Sequence, residues 1–143
     1  SLTALYDELR KDTSKPDPER RLLLGQIAQF LKRPQDALEW YSSVPGGPQR
    51  TEARLRTANV LFELGRKDEA FAQVRELQGD ASADDDARRG AYLLEAELKQ
   101  KNQDDAGELD VLARGLSAYP DDNALLYARD FGAPLITVTA SFG

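Results

Sequence analysis

The sequence has no cysteine and no histidine. The first absence excludes disulfides, thiolate nucleophiles and cysteine-held metals. It leaves the compartment open, because oxidising and reducing surroundings both accept a cysteine-free chain. The second absence removes the commonest general base and the commonest transition-metal ligand. No apolar run approaches the roughly 20 residues that a helix needs to cross a bilayer, and no cleavable leader is recognisable. Basic residues are the minority: 19 Lys and Arg stand against 25 Asp and Glu, for a net charge of -6. The cations are scattered among acids, as in Arg66-Lys67-Asp68-Glu69. A surface for nucleic acid or anionic lipid needs a basic stripe to neutralise phosphates, so neither is expected as a partner. The chain opens at Ser1 rather than at Met, and a segment of a longer protein is expected.

What is present is a balance of 41% hydrophobic and 31% charged residues, which suits a folded chain with a solvated exterior. It is arranged as a repeat. Leu24-Gly25 is followed by Ala28, Leu31, Ala37, Tyr41 and Val44; 33 residues on stand Thr57-Ala58, Leu61, Leu64, Ala70, Val74 and Leu77. The same size classes recur at the same offsets, and each stretch reads as helix, short break, helix. Pro34 opens a helix after the first break, and Gly65 ends one at the second.

These residues resemble the tetratricopeptide repeat family, a 34-residue helix-turn-helix with a small residue at position 8, Ala at position 20 and an aromatic or apolar residue at 24. Gly25, Ala37 and Tyr41 take those positions in a repeat spanning about 18–47, and Ala58 and Ala70 take the first two in a repeat spanning about 51–80. Arg21 and Arg54 stand where the motif has Trp. A third repeat is expected over 88–120, with a turn at Lys101 to Asp105 that is one residue longer, Glu108 in place of Ala, and Gly107 as its substitute. A fourth starts at 123–130, and residues 1–16 hold the second helix of a truncated unit. The implied fold is all-α, a right-handed superhelical solenoid of about eight helices in residues 1–130. The β-branched tail, 131–143, is foreign to the repeats and is expected to be disordered or to mediate self-association.

By the same resemblance, the first helix of each repeat lines a concave groove. The groove residues expected are Leu22, Gln26, Gln29 and Phe30 from the first repeat, Leu55, Asn59 and Phe62 from the second, and Tyr92 and Lys99 from the third. Aromatic and amide side chains together suit an extended peptide or a partner helix. The competing account of Phe30 and Phe62 is inter-repeat core. A family clamp for C-terminal carboxylates needs Lys at position 5, where Leu22 and Leu55 stand, so binding of that kind is not expected.

Asp84-Asp85-Asp86 lacks the glycine turn and distal Glu of a calcium loop and precedes a helix, which identifies it as an N-terminal cap. Asp104-Asp105 and Asp121-Asp122 are assigned in the same way. Val44-Pro45-Gly46-Gly47-Pro48 lacks the Lys-Ser/Thr of a phosphate loop. No metal, cofactor or catalysis is expected. The functional expectation is a scaffold or adaptor that holds a protein or peptide ligand. The alternatives are a regulatory or substrate-recruiting domain of a larger enzyme, and a self-assembly module. Residues 112–129 resemble proteobacterial repeat proteins of the cell envelope, some of them lipoproteins that deliver substrates to a periplasmic protease. That resemblance favours a bacterial envelope location over the cytoplasm.

Overall fold

A computed structural model describes residues 1–133 apart from Thr13 and Pro16. The expected self-association through 131–143 therefore falls almost wholly outside the described residues. Among those residues all regular structure is helical: α1 (Leu2–Leu9), α2 (Pro18–Phe30), α3 (Pro34–Ser42), α4 (Pro48–Glu63), α5 (Lys67–Gln78), α6 (Asp85–Lys101), α7 (Asp105–Ala118) and α8 (Asn123–Phe131). No described helix is long and apolar enough to cross a membrane.

The acids before the helices cap them. Asp17, Asp84, Asp104 and Asp122 each accept a hydrogen bond from the backbone N–H three residues on, at 3.2, 2.7, 2.9 and 2.9 Å. Each bond satisfies one of the donors that a helix start leaves unpaired. Pro18, Pro34 and Pro48 each take the first helical position, where a missing N–H costs nothing.

Among the described residues the helices gather into two compact units, 1–70 and 71–133. In the first, α1 packs on α2, and α2 packs on α3 and α4. Tyr6, Leu24, Ile27, Ala28, Ala37, Tyr41, Val44, Ala53 and Val60 form the core. Glycine is required at position 25, because a Cβ there would overlap the Tyr41 ring. The only tryptophan, Trp40, donates from Nε1 to the Tyr6 hydroxyl at 2.9 Å, which ties α3 to α1. In the second unit α6 packs on α7 and both meet α8. Ala96, Val111, Leu112, Leu125, Ala128 and Ala133 form its core.

Three helix-to-helix turns share one geometry. Arg33, Arg66 and Asp104 donate their N–H groups five residues back, to Ala28, Leu61 and Lys99, while Lys32, Gly65 and Gln103 donate three residues back. The last three have φ of 62°, 81° and 58°. This is the Schellman termination, in which a left-handed residue lets the chain double back onto the helix's last carbonyls. The turns fix the repeat register: Gly25, Ala58 and Ala96 are equivalent, as are Ala37, Ala70 and Glu108, and Tyr41, Val74 and Leu112. The expectation of a longer third turn is thereby corrected. The third turn has the same form as the others, and the frame of that repeat starts one residue later, at Arg89. Glu108 does replace the alanine, but Gly107 does not substitute for it. Gly107 instead donates to its own cap, Asp104, and a Cβ there would meet that carboxylate.

Candidate functional site

The turn register assigns the first-helix faces without ambiguity. Position 5 is Leu22, Leu55 and Leu93, position 9 is Gln26, Asn59 and Glu97, and position 12 is Gln29, Phe62 and Gln100. Tyr92 and Lys99 thus lie one residue off the offsets expected for them, at positions 4 and 11. Their contacts agree with that shift. Tyr92 sits edge-on to Tyr119, with centroids 6.3 Å apart, and its Cβ and Cγ lie against Gly115 of α7. The Lys99 ammonium lies 4.1 Å from the Phe71 ring centroid and 3.7 Å from Asp104 Oδ2, with the side chain 17% exposed. Both side chains are engaged inside the second unit.

In the first unit, half-buried Leu22 lines an open cleft between α2 and α4, with Glu19, Pro48, Gln49 and Glu52. Gln26 Oε1, in the amide orientation that matches donors to acceptors, accepts from Arg56 Nε at 3.2 Å and Nη2 at 3.0 Å. Arg56 also holds Glu52 at 2.8 Å. Gln29 is buried and accepts from the Tyr41 hydroxyl at 2.7 Å, so it supports the core. Burial raises the Tyr41 pKa well above the usual phenol range, and this bond keeps a protonated donor. Phe30 is 57% exposed, which removes core packing as its explanation. Phe62 is half-buried, with the Lys67 ammonium 5.3 Å from its centroid. Leu55 is half-buried. Asn59 is fully buried; its amide donates to Glu63 Oε1 at 3.4 Å and its Oδ1 has no hydrogen-bond partner.

The second unit holds an equivalent cleft between α6 and α8, lined by Asp86, Arg89, Gly90, Leu93, Asp122 and Ala124. Gly90 and Leu93 are the counterparts of Glu19 and Leu22. Arg89 lies 3.7 Å from Asp122 Oδ2 and its guanidinium 4.8 Å from the Tyr119 centroid. Beyond the cleft, Tyr127 and Phe131 stack with centroids 4.8 Å apart and are 57% and 74% exposed. Because Leu125 and Ala128 are buried as Ala91 and Leu94 are, these aromatics take positions 5 and 9 of α8. Leu93 and Glu97 were not among the expected groove residues because the third repeat was framed from 88, and none was named for α8, where Tyr127 and Phe131 lie. Counting back from the turn at Gln103-Asp104 would have found the α6 pair.

The two units differ beneath these faces. Where the first repeat buries Leu24, the third buries Glu95 completely. Glu95 accepts from Gln78 Nε2 at 2.8 Å, Arg75 Nε at 3.0 Å and Arg114 Nη2 at 3.0 Å. Glu97, nearly as buried, has its pKa raised above the usual carboxyl value by burial, which outweighs the ammonium of Lys101 at 3.4 Å. Glu108 accepts from the Ala133 N–H at 2.9 Å and so holds the chain beyond α8.

No family model matches the chain. It is 35% identical over 106 residues, 74% of its length, to the TPR repeat-containing protein PA4667 of Pseudomonas aeruginosa. This is a TPR-like helical-repeat chain. It spans 18% of that relative's length, and the likeness to a TPR-repeat protein suggests a protein-interaction module in general terms.

Proposed function

We propose that the chain is an adaptor that grips a segment of a partner protein on the first-helix faces of its repeats, α2, α4, α6 and α8. The supporting observation is the recurrence of leucine at position 5, with Leu22 and Leu93 lining equivalent open clefts in two separate units. A half-buried leucine in an open cleft offers apolar area to an inserted side chain at little entropic cost. Stacking the repeats into a right-handed superhelix would set these faces along one concave surface. The role is holding, with no chemistry performed on the partner. The compartment proposed with it is the bacterial cell envelope, from the resemblance of residues 112–129; fractionation of the parent protein tests it.

Photo-crosslinking decides the face. Benzoylphenylalanine replaces Phe30 or Leu55 on first helices, and Glu39 or Leu109 on second helices. Adducts formed in cells from positions 30 and 55 alone support the proposal. Equal or stronger adducts from positions 39 and 109 overturn it.

A further inference from the structure

Resting on that reading, we infer that the partner segment taken up by each cleft is basic and carries an aliphatic side chain. The two clefts share one plan, each within its own unit. Leu22 or Leu93 supplies an apolar patch. Two carboxylates lie at the rim, and one arginine answers only one of them. Arg56 binds Glu52 at 2.8 Å in the first, and Arg89 lies 3.7 Å from Asp122 in the second. Glu19 and Asp86 have no ion-pair partner among the described residues.

Both spare acids sit in the first turn of their helices, α2 and α6, and both side chains are exposed at the cleft rim. Each cleft therefore presents uncompensated negative charge beside exposed leucine surface. An acidic segment would meet like charge at the rim, and a polar one would leave the leucine wet. A Lys or Arg next to Leu, Ile or Val satisfies both. The net charge of -6 steers the same class of segment during encounter.

The test uses the full chain and three synthetic dodecapeptides: Lys/Leu, Glu/Leu and Lys/Ser. Leucine-methyl NMR shifts locate binding and fluorescence anisotropy measures Kd. The Lys/Leu peptide is expected to shift Leu22 and Leu93, with Lys/Ser and Glu/Leu binding far more weakly. Glu19→Gln and Asp86→Asn are each expected to raise Kd by about 3-fold at their own cleft, and added salt to weaken binding further. The charge-matched controls Glu39→Gln and Glu76→Gln, on the exposed sides of α3 and α5, should leave Kd unchanged. Three results overturn the inference: Glu/Leu binding as tightly as Lys/Leu, Lys/Leu binding that ignores Glu19→Gln and Asp86→Asn, or no binding at millimolar peptide. In the first case the cleft still binds and only its charge preference fails. In every case the crosslinking pattern judges the face independently.

Discussion

The first and second units build the same helix pair from different materials. In α2–α3 the seam is apolar and small: Leu24, Gly25 and Ala28 face Ala37 and Tyr41, all buried. In α6–α7 the equivalent seam carries Glu95 in the place of Leu24 and Glu108 in the place of Ala37, around Ala96 and Leu112. The turn geometry is unchanged. The difference shows that the repeat tolerates a buried carboxylate when donors from neighbouring helices converge on it. Arg75, Gln78 and Arg114 do so for Glu95. A buried ion network of this kind adds little net stability over an apolar seam, because desolvation offsets most of the attraction.

The sharpest way to break the comparison is to remove the centre of the network. Glu95→Ala removes the shared acceptor and a fully buried side chain, while Arg114 keeps Asp110 and Gln78 keeps the Ala91 carbonyl, so about 3 kcal/mol of stability should be lost. Urea unfolding measures it, with hydrogen exchange localising the loss to α6 and α7. An unchanged midpoint would mean the network carries no weight. Transplanting the other acid tests the converse. Ala37→Glu places a carboxylate at a fully buried site with no matching donors, and about 3 kcal/mol should be lost. A well-folded variant would show that the first unit is as permissive as the second.

Glu108→Ala restores the alanine of the other repeats but forfeits the bond to the Ala133 amide. A loss of about 1 kcal/mol is expected, with faster exchange of that amide. The smallest effect concerns Glu97. Its raised folded-state pKa means that the folded chain binds the proton more tightly than the unfolded chain does. Its contribution is therefore most favourable at low pH and is lost as pH rises from about 4.3, the ordinary glutamate value, through the raised one. Glu97→Gln should be more stable than the parent at pH 7, with the gap closing on acidification. A gap that widens toward acid would reverse this assignment.

Helix positions, caps and the small-residue ladder were legible in the sequence because each is local. Asp84, Asp104 and Asp122 cap wherever an acid precedes a helix start, and Gly25, Ala37, Ala58 and Ala70 recur at a fixed interval. Leu22 keeps the position 5 counted for it for the same reason. The third repeat was not legible to the residue. Its frame is set by a left-handed turn at Gln103, a residue type that gives no signal for positive φ. Nor did any local pattern show that Glu95 would be interior, since a carboxylate on a helix is ordinarily solvated.

By itself the sequence determined that this chain would be all-helical and repeating, because hydrophobic period, capping acids and proline positions act within a few residues of one another. Only the tertiary structure decided which face of α6 is presented to the solvent and which carboxylates are interior. Those outcomes depend on donors brought from α5 and α7, and on a turn whose strain is repaid by the hydrogen bonds that close it.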